Sequence, residues 1–124
     1  MQFYKCNGCG NFITFLGEKS GCTPKCCGEV MTELTPNTSD GASEKHVPII
    51  TMNENKVNVT VGSVTHPMVE NHYIEWIILE TTEGFTKKDL KPGDTPSVTF
   101  KLNEDEEVIS AYAYCNLHSL WKNN

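Results

Sequence analysis

Three stretches of the chain alternate apolar and polar side chains with a period of two. Lys56–Gly62 sets Val57, Val59 and Val61 on one face and Asn58 and Thr60 on the other. Pro96–Leu102 alternates through Val98, Phe100 and Leu102, and Glu107–Cys115 opposes Ile109, Ala111, Ala113 and Cys115 to Val108, Ser110, Tyr112 and Tyr114. Such alternation is the mark of a strand with one buried face. A fourth stretch, Tyr73–Thr81, is apolar on both faces apart from Glu75, as a strand in the middle of a sheet requires. Turn residues separate these runs: Asn53-Glu54-Asn55, Glu83-Gly84, Lys91-Pro92-Gly93-Asp94 and Asn103–Glu107. Only Thr86–Leu90 hints at a helix, and it is short. The pattern predicts a mainly β protein built on an immunoglobulin-like antiparallel β-sandwich.

The first 36 residues do not fit that pattern. They hold short apolar runs at Phe12–Leu16 and Val30–Leu34 and five of the six cysteines. So short a piece buries too little apolar surface to fold unaided and needs a staple. Residues 37–43, NTSDGAS, are small and polar and read as a linker. The expected organisation is a metal-stapled domain over 1–36, a linker over 37–43 and the sandwich over 44–124.

Composition narrows the function. The formal net charge is −6, and all ten basic residues are lysines. The imbalance lies wholly in 37–124, because the lysines and glutamates of 1–36 cancel. A nucleic-acid surface wants basic faces and arginine forks, so no nucleic-acid partner is expected. No apolar run approaches the ~20 residues of a membrane-spanning helix, so no membrane partner is expected either. The opening MQFYKCNGCG lacks the apolar core of a signal peptide, which makes the cytoplasm the expected setting. In a reducing compartment, cysteines point to metal or redox chemistry more than to disulfides.

Cys6-x2-Cys9 and the adjacent pair Cys26-Cys27 can supply four thiolates to a closed tetrahedral site. Gly8 and Gly10 suit a tight turn whose amides point at sulfur, and Gly28 plays the same part after the pair. A pair of disulfides is the competing reading. The spacing leaves zinc and iron open. Neighbouring residues point in different directions, so a ligating Cys-Cys pair demands a bent backbone. Cys22 is a spare, either inert or a competing ligand. This segment resembles desulforedoxin, a small iron domain with Cys-x2-Cys followed by Cys-Cys.

All four histidines and the sixth cysteine fall in the second part. His46 precedes Val47-Pro48, His66 precedes Pro67, His72 precedes the apolar strand, and His118 follows Cys115 by three residues. Each stands in a loop or at a strand end, where a rigid sheet can aim side chains at one point. Several imidazoles and one thiolate suit a mid-series metal such as iron.

Glu44-Lys45-His46-Val47-Pro48, Gly62-Ser63-Val64-Thr65-His66-Pro67-Met68, His72-Tyr73-Ile74-Glu75-Trp76 and Tyr114-Cys115-Asn116-Leu117-His118-Ser119-Leu120-Trp121 resemble the motifs of desulfoferrodoxin, the two-iron superoxide reductase family. The resemblance covers essentially the whole chain. It implies two irons. One is held by Cys6, Cys9, Cys26 and Cys27 as a structural or electron-transfer site. The other is held by His46, His66, His72 and His118 in a plane with Cys115 on the axis, its sixth position open. It implies one-electron reduction of superoxide to hydrogen peroxide, protection against oxidative stress, a homodimer, and an external electron donor such as rubredoxin. It gives Glu44 the role of closing the sixth position on ferric iron. Lys45 is expected to offset the anionic surface and steer superoxide inward. Ser119 stands where the family often has glycine. Trp76 and Trp121 are expected as packing. Two other readings remain at this level: a non-catalytic iron electron carrier, and a zinc-stapled β-sandwich that binds a partner.

Overall fold

A computed structural model describes all residues 1–124, and the chain divides into two compact units, Met1–Thr35 and Pro36–Asn124. The first unit is built from five very short strands, β1 (Phe3–Lys5), β2 (Phe12–Thr14), β3 (Lys25–Cys26), β4 (Glu29–Val30) and β5 (Thr32–Glu33). Three form an antiparallel sheet in the order β2-β1-β5, and β3 pairs with β4 as a hairpin. Its core is small: Tyr4, Cys6 and Met31, with Ile13, Phe15 and Cys26 packed against them. One of the expected cysteines is thus itself part of the core, as a unit this short requires.

The second unit begins with a single helical turn, α1 (Ser43–His46), followed by β6 (Pro48–Asn53), β7 (Lys56–Val61), β8 (Ile74–Thr81), β9 (Gly84–Asp89), β10 (Ser97–Lys101), β11 (Val108–Cys115) and β12 (Ser119–Lys122). Two antiparallel sheets, β10-β7-β6 and β12-β11-β8-β9, make a sandwich. Their facing side chains form one core, in which Val57, Val59, Val61 and Phe100 meet Ile77, Leu79, Ala111, Ala113 and Cys115. Val57, Val59 and Val61 are fully buried, as their alternation requires. Strand β8 lies between β11 and β9, and both its faces are buried, Ile77 and Leu79 on one and Trp76 and Ile78 on the other, which accounts for its double-sided apolar character.

Three features depart from the sequence pattern. Residues 86–90, which hint at a helix, lie in and just beyond β9, an exposed edge strand paired with β8 in register Leu79↔Thr86 and Trp76↔Asp89. The tight turn at Glu83-Gly84, with φ +133° at Gly84, folds the chain back on β8, whose free hydrogen-bonding edge decides the conformation. Ile109 is exposed although Ala111, Ala113 and Cys115 on its expected face are buried. The pairing of β11 with β8 shifts between Val108 and Ser110, and such an irregularity swings Ile109 outward. Finally, Ser110, Tyr112 and Tyr114 on the opposite face are buried as well.

Candidate metal centres

In the first unit the ligand atoms of Cys6, Cys9, Cys26 and Cys27 all lie within 4.8 Å of one another, and Cys9 Sγ is 3.6 Å from Cys26 Sγ. Four sulfurs at ~2.3 Å from a tetrahedral metal stand about 3.8 Å apart, so the cage has the right size. All six cysteines are free thiols. Cys22 is exposed and lies outside the cluster.

Backbone geometry makes the cage. The N–H of Cys9 donates to Cys6 Sγ at 3.4 Å, and the N–H of Gly10 to the Cys6 carbonyl at 2.9 Å. Cys27 (φ 54°) and Gly28 (φ 76°) both adopt the left-handed conformation, the bend that turns neighbouring thiols to one point. The Cys9 and Gly8 amides pull the Cys6 thiol down to about 6 against its burial, whereas hydrogen bonding to the other sulfurs pushes Cys27 up to about 12. The first proton leaves readily and the last resists, because four thiolates repel one another without a cation between them.

In the second unit the four imidazoles close a ring. Adjacent centroids are 4.6 Å (His46–His66), 4.7 Å (His66–His72), 5.1 Å (His72–His118) and 4.8 Å (His118–His46), and the His46–His72 diagonal is 6.3 Å. Each adjacent pair meets nearly edge to face. Cys115 Sγ lies within 4.8 Å of the ligand nitrogens of His46, His66 and His72 and 3.8 Å from His118 Nδ1. The donor atoms of His46, His66, His72 and Cys115 form one mutually close group, and His118 adjoins it through His46 and Cys115.

Each ligand is carried by the end of an element. His46 closes α1, which stops because Val47, preceding Pro48, takes an extended conformation with ψ 119°. The loop carrying His66 leaves β7 and is tied to α1 by the Val64 N–H and the Ser63 hydroxyl, which both donate to the Glu44 carbonyl, at 2.8 and 3.2 Å. Gly62 permits that approach, since a Cβ there would lie 2.7 Å from the Glu44 oxygen. His72 precedes β8 in a two-way backbone bridge with Val69. Cys115 ends β11 and pairs with Ser119, so the turn Asn116–His118 brings two donors to one place.

The hydrogen bonds identify the free lone pairs. A carbonyl only accepts, so His46 Nδ1 donates to Ala42 O at 2.7 Å and His66 Nδ1 donates to Pro67 O at 2.6 Å. Their Nε2 atoms then carry bare lone pairs, yet they face each other at 3.1 Å. His118 Nδ1 lies a further 3.1 Å from His46 Nε2, and the buried Nε2 of His72 has no partner. A cation among these nitrogens would relieve the repulsion and satisfy His72. Burial pushes all of His46, His66 and His72 below the ordinary histidine range, His66 to about 4. Protonated rings therefore do not fill the role. Three imidazoles and a thiolate gathered together, with the fourth imidazole of His118 beside them, suit iron.

Glu44 and Lys45 are exposed on α1 and contribute no donor to the cluster. Their charges nonetheless reach it, because Lys45 helps lower His72 and Glu44 opposes the lowering of His46. Trp121 stacks on the His46 ring at 4.8 Å and donates from Nε1 to the His118 carbonyl at 2.9 Å, the packing role expected of it. Two neighbours gave no signal in the sequence. Gly41, within the polar 37–43 stretch, packs on His46 and His118, and Asn116 bonds the segment around His72.

These features agree with the relatives. The sequence model of the desulfoferrodoxin family matches residues 38–124. The desulfoferrodoxin of Nitratidesulfovibrio vulgaris is 50% identical over 121 residues, covering 98% of this chain and 94% of that one. A desulfoferrodoxin homolog of Archaeoglobus fulgidus is 47% identical over 122 residues, covering 98% and 95%. The crystal structure of the superoxide reductase from Treponema pallidum superposes with a TM-score of 0.81 at 36% identity, covering 99% of this chain and 98% of that one. Cage, imidazole ring and relatives agree, and the chain belongs to the desulfoferrodoxin family.

Proposed function

We propose that this protein is a superoxide reductase carrying two irons per chain, one held by Cys6, Cys9, Cys26 and Cys27 and the other by His46, His66, His72, His118 and Cys115. The observation that carries this reading is the pair of lone-pair-bearing Nε2 atoms of His46 and His66 at 3.1 Å, gathered with His72 and Cys115 and adjoined by His118. Ferrous iron bound there supplies one electron to superoxide, which with two protons becomes hydrogen peroxide, and no dioxygen is made.

The chain's own residues prepare that chemistry. Ala42 and Pro67 hold two rings in the tautomer that presents Nε2. Cys115 is fully buried, and burial raises its thiol while the His118 and Leu117 amides favour the thiolate. As a ligand, the Cys115 thiolate would give electron density to the iron and favour its giving up an electron. Lys45 supplies positive charge beside the site of an anionic protein and draws superoxide in. Glu44, on the same helical turn, would supply a carboxylate to the oxidised iron.

The four-cysteine iron has no open position, and it serves structure or electron transfer. Exposure of Cys9 and Cys27 puts sulfur at the solvent edge, where an electron can pass. The reading extends to a homodimer, to a cytoplasmic setting in which all thiols stay reduced, and to a small external donor such as rubredoxin.

The test is iron analysis, a visible spectrum and stopped-flow mixing with superoxide. Two irons per chain, a histidine-site spectrum perturbed by azide or cyanide, and peroxide formed without dioxygen are the expected results. A colourless zinc protein, or a loaded protein that leaves superoxide untouched, overturns the reading.

A further inference from the structure

Two of the site rings are fixed directly by carbonyls, His46 by Ala42 and His66 by Pro67. The buried Nε2 of His72 is unpartnered. Its position therefore depends on the backbone that carries it. Both residues flanking His72 are bonded to Asn116. The Tyr73 N–H donates to Asn116 Oδ1 at 2.9 Å, and Asn116 Nδ2 donates to the Asn71 carbonyl at 3.1 Å. The Asn116 N–H adds a bond to the Tyr73 carbonyl at 3.2 Å. Because a backbone N–H only donates and a carbonyl only accepts, the amide has one workable orientation and both ends are used.

Asn116 also follows Cys115 directly, at the start of the turn that delivers His118. One side chain thus joins the turn that follows Cys115 to the loop that carries His72.

We propose that Asn116 is a positioning residue of the iron site, setting the placement of His72 relative to Cys115 through its paired bonds to Asn71 and Tyr73. This rests on the reading of the five-residue cluster as an iron site. Aspartate is no substitute. It keeps the acceptor for Tyr73 but sets an oxygen against the Asn71 carbonyl at the distance the donor now occupies, so two acceptors repel.

The experiment compares the iron-loaded full-length protein with Asn116→Ala and Asn116→Asp. It reads iron retained at each site against a competing chelator and the visible absorption of the ferric thiolate. The parent must first hold two irons; if its histidine site stays empty, the iron-site reading itself fails. With the parent loaded, both variants are expected to lose iron from the histidine site 10–100-fold more readily, roughly the cost of removing such an outer support. The residual thiolate band should shift, and the four-cysteine iron should be retained. Either variant holding iron with parental affinity and an unshifted band overturns the proposal, and so does a lowered melting temperature with both readouts unchanged. If Asn116→Ala does not fold, Asn116→Asp decides by the same criteria.

Discussion

Gly41 lies against His118 so closely that a Cβ on it would stand 3.1 Å from the ring's Cγ and 3.2 Å from its Cβ. The same Cβ would lie 3.2 Å from His46 Cε1, while Trp121 stacks elsewhere on that ring. Glycine is needed here for space. Gly41→Ala should push two imidazoles at once and cost about 1–3 kcal/mol, as over-packing does. Urea denaturation measures the cost and chelator challenge measures iron retention. A variant equal to the parent in both would show that the segment yields freely.

Ser119 offers the opposite case. Its φ of 63° is left-handed, and it follows the turn that brings His118 beside Cys115. A serine there is strained by roughly 1–2 kcal/mol, and glycine relieves the strain while losing about 0.5–1 kcal/mol to greater freedom in the unfolded chain. Ser119→Gly should therefore gain on the order of 0.5–1 kcal/mol and raise the melting temperature by a few degrees. Thermal unfolding of the two proteins checks this, and an unchanged or lower midpoint contradicts it.

What the sequence displays and what it hides follow from the range of each interaction. Val57, Val59 and Val61 declare their strand because burial on one face imposes a period of two. The Cys26-Cys27 pair declares its bend because adjacent side chains cannot otherwise reach one point, and φ at Cys27 bears this out. The histidine motifs, read through family resemblance, lead to His46, His66, His72 and Cys115, whose donor atoms gather within 4.8 Å, and to His118 beside them. Strand β9 is hidden, since all its residues are exposed and only pairing with β8 makes it a strand. Gly41 and Asn116 are hidden for a related reason. Gly41 meets His118, 77 residues on, and Asn116 bonds Asn71, 45 residues back, and a glycine in NTSDGAS looks like any loop glycine.

The histidine cluster gives the metal-free protein a definite acid response. His66 is pushed down to about 4 from an ordinary 6.5, first by burial and then, against the help of Pro67, by the other three rings. The unfolded chain takes up this proton near pH 6.5 and the folded chain near pH 4, so between these values the unfolded state holds more protons. Stability is full above pH 6.5 and falls as the pH drops toward 4, by on the order of 3 kcal/mol from His66. His46 and His72 act in the same direction. Glu106, held below the ordinary carboxylate range chiefly by the Thr81 hydroxyl, adds its loss only at lower pH. Urea midpoints of the metal-free protein at pH 7.5, 6.5, 5.5 and 4.5 should decline steadily below 6.5. A flat profile over that range contradicts the assignment of neutral, buried rings.

Lys45 tests the electrostatic part of the mechanism. The protein carries a net charge of −6, so at long range it repels superoxide. Lys45 is exposed, stands next to His46 in sequence, and its charge already helps hold His72 neutral. At low ionic strength its field extends outward into the approach path, and at ~0.15 M salt it is screened within about 8 Å. Lys45→Ala should therefore lower the second-order rate with superoxide several-fold at low salt, with the gap to the parent closing as salt rises. Iron content and the visible spectrum should stay unchanged, because Lys45 donates nothing to the cluster. Stopped-flow rates at a series of salt concentrations separate the possibilities. A parental rate at low ionic strength would remove the steering role, and a deficit that persists at high salt would mean that the ammonium acts on bound superoxide at short range instead.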